Sequence, residues 1–324
     1  MRGRSSGVHG CILVLCQNMR SDAPLQEEAL TETVNCPLCD TAGVHLFSQQ
    51  DLFCGIPGRF GQRYCADCGL YFLSPRVVES AIGAYYPESY APYGEDGRPS
   101  FIRWAASLVG LPLRRRRIVE RHIQQGGLLD VGPGNGFFLS TMDSGSWKKY
   151  AVDITCQLRG QAASEFEFIA GQFDGEKPPI GELDAITCWC VFEHFYHPAK
   201  ALRNAYEMLR AGGFLFLAIP DPRNIERPLF GKYWVGWDVP RHIATYSDAA
   251  MRHLLGASGF TFVEVVSHPY TGEFFLLNVD FYRRAHGARS DLAASLPLRV
   301  LLSPAVWLLA RLGLSPLKVY VVRK

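Results

Sequence analysis

Between residues 126 and 267 the chain switches repeatedly between two hydropathy patterns. Residues 128–131, 150–152, 183–189 and 214–219 are short, mostly apolar runs, which predict buried strands and are too short for independent helices. The residues from 137 onward and the run 198–209 read as helices, and Ser247 with Asp248 marks the start of another. Strand and helix therefore alternate, which predicts an α/β domain built on a mostly parallel sheet.

The turn after the first strand is the most informative. Asp130 ends that strand, and Gly132, Gly134 and Gly136 follow at alternate positions. A residue without a Cβ can take positive φ and leaves space beside the backbone, so this turn can hold a nucleotide-like ligand outside the carboxyl end of the strand. About twenty residues on, Asp153 ends the second strand, where an acid can hydrogen-bond ribose hydroxyls. The glycines run G-x-G-x-G instead of G-x-G-x-x-G, a departure that disfavours a nicotinamide site.

With Phe192, Glu193 and His194 after the fourth strand and the turn 209–215 into the fifth, these elements resemble the class I S-adenosylmethionine-dependent methyltransferases. The resemblance covers residues 126 to 267. It implies a Rossmann-like, seven-stranded, mostly parallel sheet with helices on both faces and one antiparallel strand, assigned to Leu317–Arg323. It also implies that the loop carrying Asp130, Gly132, Gly134 and Gly136 holds the amino-acid part of S-adenosyl-L-methionine and that Asp153 holds the ribose. Asp174, after the third strand, is the candidate for the adenine amine, with a solvated loop acid as the alternative.

Four of the ten cysteines form a second motif. Cys36 with Cys39, and Cys65 with Cys68, are two C-x-x-C knuckles, a spacing that suits tetrahedral thiolate coordination of a structural Zn2+. Asp40 and Gly69, each just after a knuckle, are residue types that let backbone amides turn toward the sulfurs. Cys54, Cys11, Cys16 and Cys156 lack ligand spacing, and Cys188 and Cys190 read as small apolar side chains on one face of the fourth strand. This ribbon, with the aromatic spacer at Tyr85 and Tyr86, is similar to that of the bacterial zinc-ribbon methyltransferases, a group that includes sugar C-methyltransferases. The chain is shorter than those sugar enzymes, which argues against a deoxysugar nucleotide as its acceptor. The expected organisation is a disordered extension over 1–32, a ribbon over 33–76, a helical linker over 77–125, and the catalytic domain over 126–324 with a helical insertion at 271–316.

A net charge of +2 gives no reason to expect nucleic acid as a partner. The arginine run at 114–117 is read as a solvated helix face. The apolar run near the N-terminus, Cys11 to Cys16, is too short for a secretory signal, so a cytoplasmic protein is expected. Residues 292–314 are strongly apolar but broken by Pro297 and Pro304, which argues against a membrane span. Two readings remain: a helical cap or homo-oligomer face, and peripheral contact with the inner face of a membrane. The second is motivated by eight Lys and Arg against three Asp and Glu in residues 271–324.

Methyl transfer from a sulfonium is an in-line displacement in which positioning is the main task. If the acceptor is a hydroxyl or an acidic carbon, a general base helps, and His194 is the first choice because it follows the carboxyl end of the fourth strand. Glu193 is a lesser candidate that could orient His194 or touch the cofactor. Trp234, Trp237, Arg241 and His242 form the other constellation. There the tryptophans would stack on a sugar or ring, Arg241 would neutralise a carboxylate or phosphate, and His242 would act as base or donor. The competing reading is a structural loop clamped by Arg241 and Asp238. A small-molecule, sugar, glycan or lipid-linked acceptor leads, with an RNA methyltransferase and a non-catalytic scaffold as alternatives.

Overall fold

The computed structural model describes residues 30–87, 111–154, 165–268, 272–288 and 291–324. Expectations for residues 1–29, for Cys156 and for the linker between Pro87 and Leu111 lie outside these residues.

The N-terminal part contains β1 (Thr31–Glu32), β2 (Val44–Gln49), β3 (Phe60–Tyr64), β4 (Leu70–Leu73) and β5 (Arg76–Val77). β2, β3 and β4 form an antiparallel meander, and β1 pairs with β5. The paired β1 lies within the stretch expected to be a disordered extension; Thr31 and Glu32 are held by Val77 and Arg76. Each knuckle closes on itself, with the Asp40 amide donating to the Cys36 carbonyl at 2.8 Å and Gly69 to Cys65 at 2.9 Å. Asp40 and Gly69 both take positive φ to do so.

Next come α1 (Leu111–Glu120), β6 (Gly126–Val131), α2 (Phe137–Thr141), β7 (Trp147–Asp153), β8 (Glu167–Ala170), β9 (Leu183–Trp189), α3 (Pro198–Met208) and β10 (Leu209–Pro220). α4 (Glu226–Phe230), β11 (Ala244–Tyr246), α5 (Asp248–Ala257), β12 (Thr261–Ser267), α6 (Glu273–Ala285), α7 (Leu296–Arg311) and β13 (Leu317–Arg323) complete the chain. The large sheet has seven strands in the order β12-β13-β10-β9-β6-β7-β8. β13 runs antiparallel to both neighbours, and the pairs from β10 to β8 are parallel. This is the Rossmann-like α/β architecture expected. The central strands read as continuous apolar runs because helices cover both of their faces. α3 and α5 bury Leu202, Met208, Met251 and Leu255 on one side, while Ile118 and Val119 of α1 and Phe138 of α2 pack on the other.

The ribbon does not end at residue 76. β11 pairs with β4, setting Ala244 against Phe72 and Tyr246 against Leu70, so the ribbon sheet takes its fourth strand from the catalytic part of the chain. Just beyond it, Ser247 caps α5 by accepting a hydrogen bond from the Ala250 amide. A Cβ on Gly69 would sit 2.5 Å from the Ser247 hydroxyl, so the second knuckle rests directly on that cap. The two parts share a core: Cys36, Cys65, Leu70 and Phe72 cluster with Tyr246, Met251 and the strands of the large sheet.

The insertion consists of α6 and α7. Asp280 joins them by accepting hydrogen bonds from the amides of Leu292 and Ala293, both at 2.9 Å. Arg299 reaches Glu273 at 2.9 Å. Among the described residues, no helix is long and apolar enough to cross a membrane.

Candidate active site

A crevice of about 370 Å³ opens at the carboxyl ends of the central strands, lined by Gly132, Gly134, Asp153, Asp174, Arg115, Tyr86 and His194 among others. Gly132, Gly134 and Gly136 all take positive φ. At Gly132 a Cβ would also lie 2.5 Å from Val191 Cγ2, so backbone freedom and close packing both require glycine. Gly136 does not line the crevice; it sits at the mouth of α2, where its carbonyl accepts from the Ser140 amide at 3.0 Å. Asp130 lies beneath the loop instead of in the crevice, buried and accepting from the Thr187 hydroxyl at 2.7 Å. Burial pushes its carboxyl up to about 7, against the pull of Thr187 and Arg115.

Among the described residues, three buried polar atoms on residues lining the crevice lack a partner, one of them the Trp189 indole nitrogen. Asp174 accepts from the His197 amide through Oδ2 at 3.0 Å, but its Oδ1 has none. Arg115 Nε is the third. The run 114–117 is therefore not a uniformly solvated face: Arg116 pairs with Glu120 at 2.9 Å, whereas the Arg115 guanidinium lies 5.0 Å over the Trp189 ring, at the crevice. Burial lowers the pKa of Arg115, with Cys190 and Asp130 acting in the opposite sense. Bare backbone, a buried cation and an acceptor lacking a donor fit the carboxylate, ribose and adenine amine of S-adenosylmethionine.

A second cavity of about 330 Å³ lies alongside, walled by Phe53, Trp234, Val235, Phe274, Leu277 and Leu317, with Glu193, His194 and His242 in its lining. Cys190, His194 and Phe274 border both cavities. Cys188 is buried within β9, as expected, but Cys190 lies one residue past the strand in a left-handed conformation, φ 59°, so it packs against the cluster on the opposite side of the sheet from Cys188 and edges both cavities.

The histidine geometry is specific. Nδ1 of His194 lies 2.9 Å from the Arg241 carbonyl and from the Tyr86 hydroxyl. Nδ1 of His242 lies 2.9 Å from the Gly236 carbonyl. A carbonyl only accepts, so both rings carry their proton on Nδ1 and leave the Nε2 lone pair available. Burial drives the His194 pKa down to about 3, His242 adding to the effect, and burial also lowers His242. Glu193 is fully buried, and among the described residues none donates a hydrogen bond to either of its oxygens apart from its own amide. Burial pushes its carboxyl up to about 8, partly offset by its own amide. It borders the second cavity and not the cofactor crevice.

The constellation at 234–242 divides. Trp234 and His242 line the second cavity. Trp237 turns away, its indole donating to the Gly231 carbonyl at 3.0 Å and its ring packing on Phe47 and Tyr71 of the ribbon sheet. Arg241 is not placed to meet an acceptor: fully buried, it is committed to Asp238 at 2.7 and 3.0 Å and to Asp51 at 2.6 and 3.0 Å. Burial opposes ionisation of Asp238, but the guanidinium outweighs it and holds that carboxyl low. Sequence reasoning missed Arg115, Tyr86 and the ribbon loop carrying Asp51 and Phe53. Only the loop's position between the two knuckles hinted at a role.

In the ribbon, Sγ of Cys36 lies 3.4 Å from that of Cys68, and Sγ of Cys39 lies 3.3 Å from that of Cys65, with all four sulfurs within 4.8 Å of one another. Thiolates around a tetrahedral Zn2+ sit about 3.8 Å apart, as its bond length of about 2.3 Å requires, so the four sulfurs fit that ion. Cys54 lies apart from them, half-buried in the loop beside Phe53.

Residues 107–265 match the family described as "Methyltransferase domain". The chain is 30% identical over 129 residues to a ubiquinone biosynthesis O-methyltransferase of Pseudomonas paraeruginosa, a match covering 37% of this chain and 55% of that protein. The counterpart from Pseudomonas aeruginosa is 29% identical over the same shares. The chain thus spans about half the length of these curated relatives. Among solved structures, it is similar to a Thermotoga maritima S-adenosylmethionine-dependent methyltransferase described as a possible histamine N-methyltransferase, at TM-score 0.46 and 16% identity over 69% of this chain and 94% of that one. A second is an Archaeoglobus fulgidus S-adenosylmethionine-dependent methyltransferase, at TM-score 0.44 and 15% identity over 70% and 100%. The glycine turn, the sheet order and the family match together identify residues 107–265 as a methyltransferase domain of Rossmann-like fold, accompanied by a four-cysteine cluster at residues 36–68.

Proposed function

We propose that the protein methylates a hydroxyl on a small acceptor with an apolar, ring-like body. One observation carries this reading: His194, with a lone pair on Nε2, borders both the cofactor crevice and the apolar cavity. Bound S-adenosylmethionine supplies a methyl group activated on a sulfonium. Arg115 and the glycine turn hold its amino-acid end, Asp153 the ribose and Asp174 Oδ1 the adenine amine. Phe53, Trp234, Phe274 and Leu277 surround the acceptor and exclude water, which strengthens every electrostatic contact inside. His194 Nε2 takes the hydroxyl proton while the Arg241 carbonyl fixes the ring through Nδ1, and His242 stands beside it with ring centroids 4.7 Å apart. The O-methyltransferase names of the curated relatives favour oxygen as the target atom. An apolar cavity of this size favours a small molecule over RNA. The four ribbon thiolates hold Zn2+ and brace the wall that carries Phe53.

We also propose that the acceptor arrives from an anionic lipid surface. Val300, Leu301, Trp307, Leu308 and Leu312 of α7 and its C-terminal end are exposed, Leu301 by 73%, and no acidic residue follows Asp291. The partner helix α6 supplies Phe274 and Leu277 to the cavity. The central test is a calorimetric titration with S-adenosylmethionine, followed by turnover assays on phenolic, sugar and lipid-linked hydroxyl acceptors. Binding in the micromolar range and methyl transfer to an acceptor oxygen are expected. Folded, zinc-loaded protein that binds no cofactor would reject the reading.

A further inference from the structure

Among the described residues, Glu193, His194 and His242 make no hydrogen bond to one another. The Glu193 carboxyl group has no exposed surface and, among the described residues, receives no hydrogen bond from another residue. Nε2 of His242 lies 3.9 Å from Glu193 Oε1, beyond hydrogen-bond range. Both imidazoles have spent their N–H on backbone carbonyls, His194 on Arg241 and His242 on Gly236, each at 2.9 Å. What remains is one buried carboxyl group and two Nε2 lone pairs on residues that line the same cavity. A buried polar group without a partner costs about 1–3 kcal/mol, and a charged one more, so the Glu193 oxygens call for a partner, and a cation is one that the neighbouring imidazole lone pairs can share. Asp238 cannot help, being another acceptor already taken up by Arg241.

We propose that these three residues bind a divalent transition-metal ion in the wall of the acceptor cavity, a site separate from the four-cysteine ribbon. One ligand atom from each lies within 4.8 Å of the others. Nitrogen and oxygen ligands at about 2.0–2.2 Å from a metal are about 3–3.4 Å apart, so small side-chain rotations close the set. Two neutral imidazoles and one carboxylate suit Zn2+, Mn2+ or Fe2+. Histidines that ligate through one nitrogen characteristically give the other N–H to a carbonyl or carboxylate, the arrangement both rings show. The three residues line the apolar cavity, so the remaining coordination positions face the acceptor. This deepens, and rests on, the reading of that cavity as the acceptor site: a hydroxyl bound there loses its proton more readily. With the ion bound, the His194 Nε2 lone pair is a ligand and no longer takes the hydroxyl proton, which passes to solvent instead.

Mn2+ is the appropriate probe because carboxylate and imidazole bind it while the thiolate ribbon favours Zn2+. As-isolated protein with its ribbon zinc intact is titrated with Mn2+, and free ion is followed by electron paramagnetic resonance. Saturable uptake of one Mn2+ per chain is expected. Uptake should weaken by at least about 10-fold in Glu193→Gln and in His242→Gln, with zinc content and S-adenosylmethionine affinity unchanged. Wild-type protein that binds S-adenosylmethionine but takes up no Mn2+, Co2+ or second Zn2+ overturns the site, whatever the variants do. Methyl transfer by such metal-free protein would leave the proposed function standing. Metal uptake without methyl transfer to any hydroxyl would support the site and count against that function.

Discussion

Asp51 and Arg241, 190 positions apart, are joined by side-chain hydrogen bonds of 2.6 and 3.0 Å in the interior, where neither side chain has any exposed surface. This ties the loop between the two knuckles to the segment that orients His194. Removing one partner of a buried pair strands the other charge, at a cost of about 3–5 kcal/mol. Arg241 keeps Asp238, so Asp51→Ala should lose about 3 kcal/mol in urea denaturation. Breaking the half-exposed Arg76–Glu32 pair should cost under about 1 kcal/mol. Equal effects from the two would refute the clamp. Because the Arg241 carbonyl holds His194, Asp51→Ala should also lower kcat more than it weakens cofactor binding.

Arg115 should recognise the carboxylate of the cofactor. A hydrogen bond to a charged group contributes about 1.5–3 kcal/mol, so Arg115→Ala should weaken S-adenosylmethionine by about 10- to 100-fold. Methylthioadenosine, which lacks the carboxylate, provides the control, and its affinity should stay the same. If both ligands weaken equally, Arg115 supports the crevice through its contact with Trp189 instead.

The sheet and the two motifs were legible because they are local. Buried parallel strands declare themselves as apolar runs, the glycine turn needs three positions without a Cβ, and each knuckle spans four residues. The expectations that failed concern where a side chain points in three dimensions. Trp234 and Trp237 are one helical turn apart, yet one lines the cavity and the other packs on the ribbon. Arg115 and Arg116 are adjacent, yet only Arg115 enters the crevice. No local pattern could couple Asp51 to Arg241 or supply β11 to the ribbon sheet, since both pairings join segments more than 150 residues apart.

Asp130 should give the apoprotein a measurable pH dependence. Burial raises its carboxyl to about 7, with Thr187 and Arg115 pulling it down, against about 3.9 in an unfolded chain. The folded state therefore holds this proton more tightly, and its contribution to stability is complete below about pH 3.9 and lost as pH rises through about 7. Asp130→Asn removes the titration, so the variant should show a smaller fall in stability between pH 4 and 8 than wild type. Parallel stability curves for the two proteins would mean that Asp130 ionises normally.

His194 stands where the two cavities meet, so its loss should affect turnover and not cofactor capture. His194→Ala should reduce kcat by about 10²- to 10⁴-fold, with the dissociation constant for S-adenosylmethionine changed by less than about 3-fold. Tyr86→Phe, which keeps the ring but removes the hydroxyl 2.9 Å from Nδ1, should have a much smaller effect because the Arg241 carbonyl still fixes the tautomer. Near-normal turnover in His194→Ala would remove this residue from the chemistry.

The outer face of α7 offers the last test. Burying a large apolar side chain contributes about 1.5–3 kcal/mol, and Leu301, Trp307 and Leu308 lie exposed with Arg311 over the Trp307 ring at 4.0 Å. Such a face suits the headgroup boundary of a bilayer, with the arginine at the phosphates and the apolar residues below. Co-sedimentation should show binding to phosphatidylglycerol vesicles that weakens with salt, and weaker binding to phosphatidylcholine. Leu301→Glu with Trp307→Glu should abolish it while leaving methylation of a water-soluble acceptor intact, since neither residue lines the cavity. A stable dimer in sedimentation analysis that the same substitutions dissociate, with no vesicle binding by wild type, would instead assign the face to a second copy of the chain.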